Sequence, residues 1–308
     1  VSAPLRLASR RSPLALAQAA QVAGWLAEHG HASVVVEVTS HGDTTTAPLS
    51  QIGGTGVFVS AVRAAVLAGD ADLAVHSAKD LPTAPADGLV LAAVPPRSDP
   101  RDVLVAAADL ADLVDLPPGA SVGTGSPRRA AQLRAARADL VVVDVRGNVG
   151  SRLALVDTGR LDAVVLARAG LLRLGLAQRA ERVLDVALML PAPGQGCLAV
   201  ECRVDDARLR ALLAGLDDPA SHAALAAERG LLAGLGAGCT TPVGALATVG
   251  EPAFADPQMF LQAVVDTDSG LLRMSITGAV HDADGLGRTL ADRLLARGAG
   301  PRQEAKVP

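Results

Sequence analysis

Tyrosine is absent from this chain of 308 residues, tryptophan occurs once and phenylalanine three times. A core must therefore be assembled from Ala, Val and Leu, whose abundance favours close packing of helices on sheets. The same shortage, with a formal net charge of −4, argues against nucleic acid, which wants a basic face and, for single strands, aromatic stacking platforms. No apolar stretch is long and uninterrupted enough to span a bilayer, so no membrane partner is expected. The three cysteines, Cys197, Cys202 and Cys239, are odd in number and form no C-x-x-C or Cys/His spacing. Neither a disulfide framework nor a zinc site follows, and a reducing cytoplasm is expected. The histidines, His29 and His31 in "EHGHA" among them, show no ligand spacing, so no metal is expected. Also missing are the G-x-S-x-G elbow of a serine hydrolase and the G-K-[ST] ending that would make a P-loop of "IGGTGVF" (52–58).

What is present is an alternation of strand-like and helical runs. "LRLAS", a helix to about Glu28, "SVVVEV", a helix from about Val57 to Leu67 and "ADLAVHS" follow one another, which predicts largely parallel sheets with crossover helices. The start, "SRRSPLALAQAA", superficially matches a twin-arginine export signal. Gln18 and Gln21 interrupt its apolar run, however, and it reads better as a strand, a Ser/Pro start with Pro13 near the first helical position, and an amphipathic helix through Trp25 and Leu26.

The rhythm restarts after "PPRSDPRD" (95–102) with "SVGTGS", "AAQLRAA", "DLVVVDV", "VGSRLALVD" and "DAVVLA". "LPAPGQG" (190–196) is a second break, after which "CLAVEC" is free to return to the first lobe, and two such connections would form a hinge. From Asp217 onward a helix, three alternating runs and a last helix from about Ala283 to Arg297 indicate a smaller α+β unit. The expected fold class is α/β: lobe 1 from 1–96 with 197–216, lobe 2 from 97–196, and a C-terminal α+β domain from 217–308 that carries Cys239 in a loop of small residues.

All but two of the 28 basic residues are arginine. Lys306 lies in the tail, which leaves Lys79 in "HSAKDLP" as the lysine of the folded body, a compact charge where a guanidinium fork would not fit, or a chance survivor. Its neighbour Asp80 falls at the C-terminal end of a strand, where α/β lobes bind ligands, although a helix cap or a partner for Lys79 would satisfy the same spacing. Arginines gather at loop-like places: Arg10 and Arg11, Arg128 and Arg129 after "GTGSP", and Arg146 and Arg152 in "VRGNVGSR". Planar forks converging from several strand ends suit a ligand with several carboxylates. "GTGSPRR" could alternatively cradle a phosphate with Thr124, Ser126 and backbone N–H groups.

The segments "LASRRSPLALAQA", "IGGTGVFV", "ADLAVHSAKDLP", "DPRDVLV", "VGTGSPRRAAQL", "VRGNVGSRL", "LDAVVLARAGLLRLGL", "LPAPGQGCLAVECR" and "GAGCTTPVGA" together resemble the porphobilinogen deaminase (hydroxymethylbilane synthase) family, in order, from about residue 5 to about 245 and more loosely to the last helix. The resemblance implies two periplasmic-binding-protein-like lobes and a transferase that joins four porphobilinogens head to tail with loss of ammonia, then releases hydroxymethylbilane by hydrolysis. It implies a dipyrromethane cofactor held through a thioether to the residue matching Cys239, a catalytic carboxylate at Asp80, and Lys79 beside it as a carboxylate-binding ammonium. By the same resemblance Ser77, Lys79, Asp80, Thr124, Ser126, Arg128, Arg129, Arg146 and Arg152 would hold the cofactor. Arg10, Ser12, Arg146, Arg152, Arg173 and Gln195 would hold substrate, and the protein would be a cytoplasmic monomer of tetrapyrrole and heme biosynthesis.

Relatives often carry lysines in a pattern like K-x-G-G-K-G where this chain has Gln51 and Thr55, so no charged role is assigned to that loop. A different class of protein, a non-catalytic hinge-type carboxylate-binding protein of the periplasmic solute-binding kind, would share the lobes and the arginines. Cys239 and the lack of an export signal are what separate the two readings.

Overall fold

The computed structural model describes residues 3–39, 59–106, 112–238, 241–250 and 257–299. In chain order its strands are β1 (Leu5–Arg10), β2 (Ser33–Val38), β3 (Leu73–Ser77), β4 (Leu89–Ala93), β5 (Asp102–Ala106), β6 (Ser121–Gly123), β7 (Val141–Val143), β8 (Ala163–Ala167), β9 (Leu198–Arg203), β10 (Val243–Val249), β11 (Gln258–Thr267) and β12 (Gly270–Ala279). The α-helices are α1 (Pro13–Glu28), α2 (Ser60–Leu67), α3 (Pro127–Ala136), α4 (Val149–Asp157), α5 (Arg168–Arg173), α6 (Ala207–Leu213), α7 (Pro219–Gly234) and α8 (Ala283–Leu295). Contacts divide the chain into two units: Val1–Pro100 with Arg168–Gln178 and Gly194–His222, and Arg101–Ala167 with Arg179–Pro193 and Ala223–Pro308.

In the first unit one sheet runs β2-β1-β3-β9-β4. Helix α1 starts where the local chemistry dictates, since Ser12 caps it by accepting the Ala15 N–H and Pro13 needs no donor in the first turn. Its Val22 and Leu26 pack on Leu7, Leu73 and Val75. On the opposite face α2 lays Val62 and Val66 against Ala8 and Ala74, the alternation that a strand covered on both sides requires. Each such Leu or Val contributes roughly 1.5–3 kcal/mol by burial.

The second unit holds two sheets. One runs β5-β8-β6-β7, and the other is the antiparallel β10-β11-β12. Ala227 and Leu231 of α7 and Leu290 and Leu294 of α8 share a core with Met259 and Leu261 of β11. The sheets are less parallel than the sequence rhythm predicts. Strands β1, β2 and β3 are parallel, as are β6, β7 and β8, but β9 runs antiparallel to β3 and β4, and β5 antiparallel to β8. Only a strand reached by a helical crossover from its neighbour is held to a parallel course, and β5 and β9 are each entered through an irregular segment instead.

Behind the C-terminal end of β3 lies a buried ionic group. Arg63 of α2 grips Glu201 of β9 with two hydrogen bonds, Nε to Oε2 at 2.8 Å and Nη2 to Oε1 at 2.7 Å, and His76 of β3 sits 3.2 Å from Oε2. Burial alone would raise the Glu201 carboxyl, but hydrogen bonds and charge from His76 and Arg63 outweigh it and hold it down to about 2. A carboxyl depressed from 4.5 stabilises the fold fully above that pH and stops doing so as pH falls toward 2. Urea unfolding followed from pH 7 to pH 2 is expected to show a loss on the order of 3 kcal/mol from this group. The Glu201→Gln variant should start lower by a similar amount and show a flatter profile across that window.

Candidate functional site

The first unit presents its chemistry at the C-terminal ends of two parallel strands. Arg10 closes β1, and β3 ends at Ser77 in a single 3-10 turn, Ala78–Asp80, that sets Lys79 and Asp80 half-buried at its rim. Arg10, Ser12, Gln18, His76, Ser77 and Asp80 line one recess there, the place where such sheets take ligands. Ser77 Oγ accepts from Gln18 Nε2 at 2.7 Å, and Ser12 spends its acceptor oxygen on the helix cap. Both hydroxyls retain a proton to donate.

Lys79 Nζ donates to Gln195 Oε1 at 3.4 Å. Gln195 is 1% exposed, gives Nε2 to Pro100 O at 2.7 Å and takes Arg97 Nε on its own carbonyl at 2.9 Å. The structure thus surrounds Gln195 with protein groups. Arg173 donates to Gln21 Oε1 and, at 2.8 Å, to Gly196 O, and burial lowers its guanidinium to about 10.

The second unit gathers the remaining predicted arginines. Strand β6 leads into "GTGSPRR", where a Cβ on Gly125 would stand 2.5 Å from Val145 O, so only glycine lets the turn pass this close to the neighbouring chain. Ser126 caps α3 and Pro127 begins it. The capped turn points Arg128 and Arg129, 4% and 6% exposed, at one carboxylate. Arg128 Nη2 reaches Asp102 Oδ2 at 2.9 Å and Arg129 Nη2 reaches Oδ1 at 2.8 Å. Their other Nη atoms bond Leu190 O and Val165 O. Asp102, the first residue of β5, is fully buried.

Arg152 of α4 joins this group. Burial pushes its guanidinium below the ordinary value, the nearby charge of Arg129 adds to that, Asp144 opposes it, and Arg146 lowers it further. Burial likewise lowers Arg128, against the pull of Asp102. Among these six groups guanidiniums outnumber carboxylates by two. Among the described residues, the buried Nε atoms of Arg128, Arg129 and Arg152 have no hydrogen-bond partner. A desolvated surplus of N–H donors and positive charge is a receptor for anions, and planar forks suit carboxylates in particular.

The phosphate cradle is less well served. Thr124 Oγ1 accepts the Ser126 N–H and Ser126 Oγ lies at 3.5 Å from the Arg129 N–H, so the first-turn donors are turned inward. No group of His, Cys, Asp or Glu among the described residues could hold a metal, and none of their helices is long and apolar enough to cross a membrane. Cys239 and the loop residues Gln51 and Thr55 lie outside the described residues. Cys197 and Cys202 are buried free thiols.

Sequence reasoning did not single out Asp102, Glu201 or His76. Asp102 carried a signal, because a carboxylate opening the otherwise apolar run "DVLVA" must find a cation once that strand is covered. Glu201 in "LAVECR" carried the same one.

A family model described as "Porphobilinogen deaminase, dipyromethane cofactor binding domain" matches residues 5–211, and one described as "Porphobilinogen deaminase, C-terminal domain" matches residues 223–296. Porphobilinogen deaminase 1 of Streptomyces coelicolor is 53% identical over 306 residues, covering 96% of each chain. Porphobilinogen deaminase of Acidothermus cellulolyticus is 51% identical over 302 residues, covering 96% of this chain and 89% of its own. Among solved structures, a periplasmic substrate-binding protein of an ABC transporter from Coxiella burnetii aligns with 73% of this chain and 96% of its own, at TM-score 0.42 and 15% identity.

Removing the shared carboxylate should expose how much charge the second unit holds. Asp102→Ala is expected to destabilise the protein by about 3–5 kcal/mol, because it strands two buried guanidiniums. The measurement is the urea midpoint of the variant against the parent. A loss under about 1 kcal/mol, the scale of a surface pair, would contradict the buried arrangement.

Proposed function

The chain belongs to the porphobilinogen deaminase family, and from that premise we propose that the guanidinium cluster of the second unit holds pyrrole carboxylates while Asp80 of the first unit serves the chemistry. The protein is a transferase of tetrapyrrole biosynthesis, a hydroxymethylbilane synthase with a dipyrromethane cofactor. It joins four porphobilinogens head to tail with loss of ammonia and releases the linear product by hydrolysis.

The observation that carries the assignment of roles is the set of partnerless buried Nε atoms on Arg128, Arg129 and Arg152. Every porphobilinogen-derived ring bears an acetate and a propionate, so the donor set fits the cofactor's chemistry. Arg128, Arg129 and Arg152, with Arg146, Thr124 and Ser126, would hold its carboxylates, and Cys239 would attach it through a thioether. Ser77 and Lys79 are assigned to it from the first unit. When bound, the cofactor supplies a free pyrrole α-carbon as the acceptor for the first porphobilinogen.

The residues of the chain then have distinct tasks. Arg10, Ser12 and Arg173 orient the carboxylates of incoming porphobilinogen, which restricts it to one approach and contributes by proximity. Gln195 acts on the same substrate through Lys79, to which it is bonded. The Asp80 carboxylate offsets the positive charge that develops as the aminomethyl nitrogen of porphobilinogen departs as ammonia, and its oxygens accept the ring proton that is later lost. A half-buried position at a strand end suits this, since a charge there acts through a dielectric lower than that of water.

The division at 1–96 with 197–216, 97–196 and 217–308 is retained as the functional one. A cytoplasmic monomer, with porphobilinogen as its small-molecule partner, is inferred on the same basis.

Two measurements test the assignment. Intact-protein mass should exceed that of the bare chain by two pyrrole units, and Cys239→Ala should abolish the excess. Bare mass in fully active protein would overturn the attachment. Asp80→Asn should lower kcat by at least about 100-fold while porphobilinogen still binds, because only the stabilisation of developing charge is lost. A hinge-type receptor without catalysis would show neither the added mass nor any turnover to lose.

A further inference from the structure

We infer that Gln132 and Arg273 are positioning residues that hold Arg128 in register with the strand following Cys239. The inference rests on the assignment of Arg128 and Cys239 to the cofactor. Gln132 lies one helical turn beyond Arg128 on α3, on the same face, and is 1% exposed. Its Oε1 accepts two hydrogen bonds, from the Leu190 N–H at 2.8 Å and from Arg273 Nη2 at 3.0 Å, while its Nε2 donates to Leu190 O at 3.0 Å. Two donors converging on one oxygen fix which way the amide points, so the side chain can occupy a single orientation.

Leu190 O is also where Arg128 Nη1 ends, at 2.5 Å. One residue on, Pro191 O accepts the Ala245 N–H of β10 at 2.9 Å. The contact is close enough that a Cβ on Gly244 would stand 2.9 Å from Leu190 O and 3.2 Å from Pro191 O. At the entrance to β10, Gly238 and Thr241 are bonded to each other, Thr241 N–H to Gly238 O at 3.0 Å and Gly238 N–H to Thr241 Oγ1 at 3.1 Å. These two residues bracket Cys239 in the sequence. The Arg128 guanidinium is therefore linked, through two hydrogen bonds joined by the Leu190–Pro191 peptide, to Ala245 of β10, the strand that follows Cys239 in the sequence. Arg273 braces this link from β12, with a second bond from the same Nη2 to Leu188 O at 3.3 Å.

The need for such a brace follows from tethering. A ligand fixed by one covalent bond can place its carboxylates on Arg128 only if the distance from sulfur to guanidinium is held. A misplacement of roughly 1 Å at a site of this kind can cost on the order of 100-fold.

The test uses the full-length protein in four forms: parent, Arg273→Met, Gln132→Leu and the double variant, with Arg273→Lys as the conservative control. The readout is the fraction of purified chains carrying the two-pyrrole mass, with thermal unfolding recorded on the same samples. The loaded fraction is expected to fall at least about fivefold in each single variant and by much less than the product of the two losses in the double variant, since Arg273 and Gln132 share a hydrogen bond. Arg273→Lys keeps a donor and should recover most of the loss, and the Arg273→Met midpoint should stay within about 4 °C of the parent. An Arg273→Met protein as fully loaded as the parent overturns the inference, and so do losses that multiply in the double variant. Should Gln132→Leu fail to fold, the Arg273→Met and Arg273→Lys pair decides alone. A parent chain lacking the added mass removes the cofactor assignment itself, and the inference with it.

Discussion

A single buried carboxylate shared by two guanidiniums organises the second unit. Asp102 is wholly out of water, and Arg128 and Arg129 offset its desolvation by each giving it a short hydrogen bond. The arrangement is deliberately unbalanced in charge. One carboxylate orients two guanidiniums but cannot neutralise both, and the neighbouring Arg152 adds to the surplus. Such a cluster cannot close on itself. Its buried Nε atoms have no protein partner among the described residues, and its surplus of charge favours anionic partners.

The first unit solves the opposite problem with similar residues. Its Glu201 receives two hydrogen bonds from Arg63 and has His76 3.2 Å away, so the carboxylate is charge-matched within the protein. His76 pairs with Ala199 and Glu201 with Ala74, so the two residues lie two register positions apart across β3 and β9, and Ser77, Lys79 and Asp80 follow directly after His76. A rigid, charge-matched base therefore supports a rim whose carboxylate is half open to solvent. Rigidity beneath and exposure above is the combination that the role proposed for Asp80 calls for.

Much of this architecture is written locally, and those parts are readable from the chain. The start of α1 follows from Ser12 and Pro13 alone, and the antiparallel pairing of β11 with β12 follows from two alternating runs joined by a turn too short for a crossover. The direction of β9 and β5 is not readable, because period-two alternation reports which face is buried and nothing about the partner strand. The same limit applies to the site. Glycine-rich turns mark Arg128 and Arg129 as special, yet their common partner is Asp102, on another strand and many residues earlier. Gln195, in a loop with no periodicity, carries no sequence sign of where its side chain goes, and the structure gives it Pro100 O and Lys79.

The scarcity of lysine gains a physical sense in this light. Apart from Lys79 and Lys306 every basic residue of the chain is an arginine, and Arg128 and Arg129 of the second unit are held by protein carbonyls and a carboxylate. A guanidinium tolerates that treatment better than an ammonium: it stays charged when desolvated, and its planar fork can give one edge to the protein and another to a ligand. Arg128 does the first with Asp102 and Leu190 O while its Nε remains without a protein partner. The structural and recognition roles of such a residue are then not separable. The bonds that fix its plane also determine the direction from which a carboxylate can be received.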